Sequence, residues 1–331
     1  MRLLFSDLHI SQSNLSFKKK ILEQVVEIGV KKDIKHLDFG GDWFQSRKGQ
    51  PLEVLTFTET FLNSLPFESI TMIAGNHDKL DYESMDSFLD VFGYFPKVNL
   101  VKTDYVKDNI AYLPYFLEGD LYNAFLSEFE KRKNYPNILI THVGVDGYSS
   151  IGGKINSAVT ASQFSKFKQV FIGHYHNRGK LGKNICYFGS TNPSTFGEDN
   201  EKGVCLYDEI SGEYELVNLN FPKFYTFNYS LSEGTEKIIK FGEREREKNP
   251  DDNIRFILSG KKEEVISFPN NRLSKLGIKP EFEVELEYED IEQKPLQKIS
   301  QTEFLENFST FCKDKGFADI EIGQHYLSQV L

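Results

Sequence analysis

Residues 69–78 read Ser69-Ile70-Thr71-Met72-Ile73-Ala74-Gly75-Asn76-His77-Asp78. Six uncharged residues, three of them β-branched, predict a buried strand. Glycine then allows a sharp turn and close backbone approach. An amide, an imidazole and a carboxylate follow at once. The tetrapeptide Gly75-Asn76-His77-Asp78 is a rare combination and reads as a site at the end of a strand.

Working outward, the same arrangement recurs four times. Leu3-Leu4-Phe5 is a strand candidate followed by Asp7-Leu8-His9. His36-Leu37-Asp38-Phe39 is followed by Gly40-Gly41-Asp42, and a strand at 137–141 by His142. A strand at 169–172 leads into Gly173-His174-Tyr175-His176. Further strands are expected at 98–102, 109–113, 185–188 and 203–207. Helices are expected over 17–31 (Ile21, Leu22, Val25, Val26 and Ile28 at helical spacing), about 52–64, near 84–92 and about 119–132. This alternation argues for α/β layers. In open α/β sheets, ligand groups gather beyond the carboxyl ends of the strands, so the five clusters point at one place.

Carboxylate, imidazole and amide oxygen form a mixed, borderline-hard donor set that suits divalent metals. Asp-x-His and His-x-His put two ligand side chains on the same side of an extended segment. Glycine precedes Asp42, Asn76 and His174 and lets the backbone come close. His36 and His325 have no such context and read as surface or core residues.

The chain has 331 residues, 39% hydrophobic and 27% charged, as expected of a globular protein with ample core. Three widely spaced cysteines (Cys186, Cys205, Cys312) exclude a disulfide framework and a thiolate zinc site, and suit a reducing cytoplasm. The N-terminus lacks the apolar run of a signal peptide, and no stretch is long enough to span a membrane. The net charge of −10 argues, taken alone, against a nucleic-acid partner. The charge is uneven, however: residues 151–200 carry six basic side chains against two acidic ones. After Phe221-Pro222 the pattern becomes strand-rich and charged. Residues 281–289 alternate strictly, with Phe282, Val284, Leu286 and Tyr288 on one face and glutamates on a solvated one. Pro295 follows, then an amphipathic helix at 302–313.

The order Asp-x-His, Gly-Asp, Gly-Asn-His-Asp, His, Gly-His-x-His resembles that of the calcineurin-like metallophosphoesterases. Within them the chain resembles the SbcD nuclease family, whose eukaryotic relative is the meiotic-recombination-eleven protein. Gly41-Asp42-Trp43-Phe44, Tyr187-Phe188-Gly189-Ser190, Phe196-Gly197-Glu198 and Lys202-Gly203 carry the narrower match, which spans about 1–210. The resemblance implies a four-layer α/β/β/α sandwich with a smaller C-terminal α+β capping domain and a tail helix. It implies a nuclease domain over 1–220, a DNA-contacting capping domain over 221–295 and an ATPase-docking tail over 296–331. Asp7, His9, Asp42 and His176 would hold one ion, and Asp42, Asn76, His142 and His174 a second. Both would be Mn2+, with Mg2+ as the substitute. His77 would be the catalytic non-ligand histidine, oriented by Asp78.

Gln45 stands where some relatives carry a histidine or aspartate that contacts the phosphate. Gln45 is a candidate substrate contact on that ground, and Arg47 and Arg178 are further candidates. Asn192-Pro193 replaces the proline expected directly after Gly189-Ser190. The implied activity is 3′→5′ exonuclease on duplex ends and endonuclease on single strands or hairpins. The implied partners are DNA, a coiled-coil ABC ATPase of the SbcC type, and a second copy docked through 52–64 and 84–92. Phe57, Phe61, Leu62, Phe88, Leu89 and Phe92 would supply that dimer face. The implied setting is the cytoplasm of a bacterium or a phage-infected cell. Two other readings compete: a phosphatase or small-molecule phosphodiesterase on the same scaffold, and a non-catalytic binding subunit. Protein phosphatases of the superfamily carry Gly-Asp-x-Val-Asp-Arg-Gly and Asn-His-Glu, which this chain lacks. Every expected ligand is present, which disfavours a dead site.

Overall fold

The computed structural model describes residues 1–150, 152–285 and 308–310. Its strands, in chain order, begin with β1 (Arg2–Phe5), β2 (His36–Gly40), β3 (Ser69–Ile73), β4 (Val98–Val101), β5 (Tyr105–Lys107) and β6 (Ile110–Leu113). They continue with β7 (Ile138–His142), the short pair β8 (Ser149–Ser150) and β9 (Gly153–Lys154), β10 (Gln169–Gly173), β11 (Gly179–Leu181) and β12 (Ile185–Tyr187). Then come β13 (Gly203–Tyr207), β14 (Tyr214–Asn218), β15 (Phe224–Ser230), β16 (Asn253–Gly260) and β17 (Ile278–Val284). The α-helices are α1 (Leu15–Lys31), α2 (Leu52–Ser64), α3 (Asp120–Glu128), α4 (Thr235–Lys248), α5 (Lys262–Ser267) and α6 (Asn270–Lys275).

Two six-stranded sheets lie face to face, ordered β14-β13-β1-β2-β3-β4 and β11-β12-β10-β7-β6-β5. β1 to β4 run parallel, as do β6, β7, β10 and β12. Strand residues divide by parity. In β1, Leu3 and Phe5 join the core under α1 and α2, while Leu4 faces the other sheet. In β10, Val170 and Ile172 face the α3 side and Phe171 faces the first sheet. Strands buried on both faces need continuous apolar runs, which is why these segments read so clearly in the sequence. Each fully buried Leu, Ile or Phe contributes about 1.5–3 kcal/mol. The four layers α/β/β/α are those the resemblance implied. Cys186 and Cys205 are buried and free.

β15, β16 and β17 form a third, parallel sheet joined by helices as a βαβαβ unit. Ile254, Phe256 and Leu258 of β16 and Ile238 and Ile239 of α4 centre its own core. It docks on the sandwich through residues 196–200. Phe196 meets Phe224 edge-on with ring centroids 5.0 Å apart, Arg255 lies over Phe196, and Asn200 exchanges two hydrogen bonds with the Phe224 backbone.

The segment expected as a helix near 84–92 is a turn-rich loop closed by a 3-10 helix, Phe88–Phe92. Asp81, Ser84 and Ser87 each accept a bond from a backbone N–H two residues on, which competes with helix formation. Leu62, Leu89 and Phe92, expected on a dimer face, are buried against the first sheet, with Phe57, Phe61 and Phe88 packed beside them. The expected helix at 119–132 is α-helical only to Glu128 and ends in a 3-10 turn. The alternating strand at 281–289 is described to Val284, where Phe282 packs on Phe268 and Glu281 pairs with Arg255. Leu286, Tyr288 and the tail 296–331, apart from helical residues 308–310, lie outside the described residues. No helix among the described residues is long and apolar enough to cross a membrane.

Candidate metal centre

Asp7 and His9 follow β1, Asp42 follows β2, and Asn76, His77 and Asp78 follow β3. His142 ends β7, and His174 and His176 follow β10. All are at carboxyl ends of parallel strands, on one edge of the sandwich. The loops are tied together by backbone bonds: Asp7 N–H to Gly41 O (2.9 Å), His9 N–H to Asp42 O (3.1 Å) and Ile10 N–H to Trp43 O (2.8 Å). Asp7, His9, Asp42 and His174 have positive φ (51°, 49°, 60° and 90°), a costly backbone conformation for side-chain-bearing residues. Close approach explains the glycines. A Cβ on Gly75 would collide with the Asp42 carboxylate, and one on Gly41 (φ +100°) with the His142 ring.

The donor atoms converge. His9 Nε2 lies 3.0 Å from His176 Nε2, 3.6 Å from Asp42 Oδ2 and 3.9 Å from Asp7 Oδ1. His142 Nε2 lies 3.4 Å from the same Asp42 Oδ2 and 3.3 Å from Asn76 Oδ1, which is 3.0 Å from His174 Nδ1. One carboxylate, Asp42, thus joins two donor groups. Asp7, His9 and His176 form one set of mutually close ligand atoms, and Asp7, Asp42 and His142 another.

Second contacts fix these rings. His142 Nδ1 donates to Gly40 O (2.8 Å), and His176 Nδ1 is 3.2 Å from Glu198 Oε1. Lys202, fully buried, donates to His176 O and Asn177 Oδ1, both at 2.6 Å. Ser6 Oγ donates to the Asp7 carboxylate, which also accepts from His174 N–H. Lys18 reaches in from α1 and donates to Asn192 Oδ1 (2.7 Å).

Burial and crowding set the charges. Burial pushes the Asp42 carboxyl up, but the facing imidazoles of His142 and His9 outweigh it and hold it below the ordinary range. Burial opposes the charge on His142, yet Asp42 raises it to about 9. Burial, reinforced by His142, lowers His174 to about 3, and burial drives His9 well down. Burial raises Asp7. His9 and His174 are therefore neutral and keep lone pairs to give.

The residues fit a cation. His9 Nδ1 is buried without a hydrogen-bond partner. Its other nitrogen faces a second imidazole nitrogen across a distance where at most one proton can stand. Two carboxylates surround the pair. His142 Nε2, beside the Asp42 and Asn76 oxygens, would give up any proton it holds to bind a metal there.

Not every expected site residue plays its expected part. Asp78 does not touch the His77 ring. Its buried carboxylate accepts from Asp42 N–H, Gly75 N–H (both 2.9 Å) and Phe44 N–H (3.0 Å), pinning the second and third loops together. Burial and the nearby Asp42 raise it to about 7. The ring of His77 is oriented by the backbone of Gln45: Nδ1 donates to Gln45 O (2.7 Å), and Nε2 accepts from Arg47 (2.9 Å). A His77 nitrogen also lies near a His9 nitrogen and an Asp42 carboxylate oxygen, but both its ring nitrogens are engaged. Arg178 stays outside the centre. Its guanidinium binds Phe188 O, Val217 O and Asn218 Oδ1 and braces β12 to β14. The sequence reading does not single out Lys18, and Glu198 and Lys202 enter it only within the segments that carry the resemblance.

A layered α/β/β/α sandwich whose strand ends gather histidines and carboxylates defines a metal-dependent phosphoesterase. The chain belongs to the calcineurin-like phosphoesterase family, whose sequence profile matches residues 2–178. It is 25% identical over 289 residues to protein 244L of Invertebrate iridescent virus 6, named as a candidate phosphoesterase. That match covers 82% of this chain and 98% of the viral protein. Among solved structures it matches the nuclease MPE of Pseudomonas putida at 15% identity and a TM-score of 0.30. That alignment covers 56% of this chain and 66% of the other.

Proposed function

We propose that the chain is a two-metal phosphodiesterase that cleaves DNA. The observation that carries this reading is the sharing of the Asp42 carboxylate between His9 on one side and His142 on the other. Asp7, His9, Asp42 and His176 hold one ion in this reading, and Asp42, Asn76, His142 and His174 the other. Mn2+ is the preferred ion and Mg2+ the substitute. When bound, the pair supplies Lewis-acid polarisation of the phosphate and acidifies water.

The protein's own groups do the rest. Glu198 and Lys202 fix the His176 segment, and Asp78 locks the loops so that the donors do not reorganise during reaction. Arg47 can pair a phosphate oxygen, which releases His77 Nε2. With Nδ1–H held by the Gln45 carbonyl, the freed Nε2 serves the departing oxygen, stabilising the transition state or passing it a proton. Such acid catalysis is worth about 10²–10⁴-fold. DNA as substrate is supported by the motif resemblance and by the βαβαβ unit set against the 196–200 segment that also carries Glu198. The reading extends, by resemblance, to an SbcC-type coiled-coil ATPase partner and to a homodimer through 52–64 and 84–92, where Leu52, Met85 and Val91 are exposed though the expected phenylalanines are not, both tested by co-purification.

The test compares manganese-dependent nucleotide release from linear duplex DNA with hydrolysis of methyl 4-nitrophenyl phosphate. Activity on the small ester alone removes DNA from the proposal. His77→Ala should retain both ions, by metal analysis, and lose about 10²–10⁴-fold in turnover. Wild-type turnover in that variant overturns the assignment of His77.

A further inference from the structure

Beside the centre lies a cavity of about 430 Å³, within the range of about 300–1,000 Å³ typical of small-ligand sites. Asn76 and His174 line it, so it opens onto the half of the centre furthest from His176. Tyr82, Tyr115, Tyr175 and Glu118 line it further. Tyr115 lies nearly parallel to His174, with centroids 5.9 Å apart, and Tyr82 meets Tyr115 edge-on at 5.3 Å. Arg47 donates to the Tyr82 hydroxyl (2.7 Å) and so ties this wall to His77. Glu118 is fixed by the Gly144 N–H (3.1 Å) and by a long bond from the Tyr115 hydroxyl (3.5 Å). Gly144 makes the wall possible. A Cβ there would stand 2.8 Å from the Tyr175 hydroxyl and 3.3 Å from the Glu118 carboxylate.

These groups have a common chemistry. Aromatic faces beside a phosphate site stack bases without regard to sequence. A carboxylate only accepts hydrogen bonds, and the exocyclic amines of cytosine, adenine and guanine can donate to it. Thymine presents two carbonyl oxygens, which a carboxylate repels, on either side of its single imino N–H. We infer that this cavity seats the unpaired base of the nucleotide flanking the scissile phosphate, stacked among the tyrosines and read by Glu118, with thymine disfavoured. The inference rests on the phosphodiesterase reading above. It makes an unstacked nucleotide, at a frayed end or in a single strand, the form that enters.

The experiment uses the manganese-loaded full chain hydrolysing methyl 4-nitrophenyl phosphate, with dCMP, dTMP or methyl phosphate as inhibitor. dCMP should inhibit at about tenfold lower concentration than methyl phosphate, because its base stacks. It should inhibit at about fivefold lower concentration than dTMP, because its amine meets Glu118. Tyr82→Ala should shrink the first ratio. Glu118→Gln should bring the second near one, since an amide can turn either way. Equal inhibition by dCMP and methyl phosphate in the wild type overturns the base subsite. A dCMP-over-dTMP preference that survives in Glu118→Gln overturns the role of Glu118. No hydrolysis of either this ester or linear duplex DNA overturns the phosphodiesterase reading itself, and the subsite with it.

Discussion

Asp38 and Asp42 stand four residues apart, one within β2 and one just past its end, and both are buried. Their surroundings are opposite in kind. The Asp38 carboxylate accepts from Arg2 Nε (2.8 Å) and Nη2 (2.9 Å) and from the hydroxyls of Tyr112 (2.8 Å) and Tyr207 (2.7 Å). Four donors from three strands satisfy it, and its one full countercharge is fixed. Asp42 sits at φ +60°, takes one backbone N–H from His77, and otherwise faces two imidazoles. A buried charge with a complete shell fastens two sheets to each other. A buried charge with an incomplete shell, on strained backbone, waits for a cation. The same sandwich carries both: Arg2 pairs with Asp38 at the start of β1, and Asp7 and His9 meet Asp42 beyond its end.

Conservative substitution separates the two most sharply. Asp38→Asn leaves the Arg2 guanidinium buried against a neutral partner. Breaking such a pair costs about 3–5 kcal/mol, read by chemical denaturation, while the folded fraction keeps its turnover. Asp42→Asn should cost about 4 kcal/mol or more in transition-state stabilisation, about 10³-fold in rate. In the metal-free chain at neutral pH it should also cost stability, because Asp42 and His142 hold each other charged, but less than Asp38→Asn, because the His142 ring can give up its proton. The comparison breaks if the two stability losses come out equal.

The two regions also differ in how well they can be read from sequence. The centre is legible because each ligand lies a fixed step beyond an apolar run, and Asp-x-His or Gly-Asn-His-Asp is a local pattern. The Arg2–Asp38–Tyr112–Tyr207 network is not, because its members come from distant strands and no local spacing marks them. The edge strands β5, β11 and β14 were missed for a related reason: they are short and half-exposed, and half-exposed strands carry little apolar signal. The 84–92 segment misled because its apolar spacing outweighed the serines and aspartates that turn the chain. The orienting role that the resemblance implies for Asp78 is taken by the Gln45 carbonyl, because the Asp78 carboxylate points back to the loops. Lys18 did leave a signal. It occupies the apolar stripe Lys18, Ile21, Leu22, Val25 of α1, where a cation is out of place.

A smaller effect sharpens the boundary between satisfied and incomplete shells. Glu198 holds His176 Nδ1 and is itself held by Ser194 N–H (3.2 Å) and by Lys202, whose ammonium is 3.4 Å from it. It belongs to the fixed structure yet touches a candidate ligand. Removing the partner of a metal-bound histidine typically costs about 10–100-fold in metal affinity. Glu198→Gln should therefore weaken manganese binding by that factor in calorimetry, with turnover largely restored at saturating metal. An unchanged affinity would place His176 outside the ligand set.

The last comparison, at Lys18, tests whether a buried charge near the centre costs stability when its shell is thin. Burial lowers its pKa from 10.5 to about 7, against the attraction of Glu198 and Asp7, and among the described residues Asn192 alone accepts from it. Between about pH 7 and 10.5 the unfolded chain binds a proton that the folded chain does not, so this group makes stability rise with pH there. Below about pH 7 both states hold the proton and the penalty is constant. His142, raised to about 9, slopes the opposite way over part of the same window, so the wild-type curve alone is ambiguous. The difference between the wild type and Lys18→Met isolates the lysine. That difference should change by about 1.4 kcal/mol per pH unit above pH 7 and be flat below it, in denaturant titrations of the metal-free protein. A difference independent of pH from 6 to 10 would mean that Lys18 stays charged in the folded chain, and that its shell, like that of Asp38, is complete.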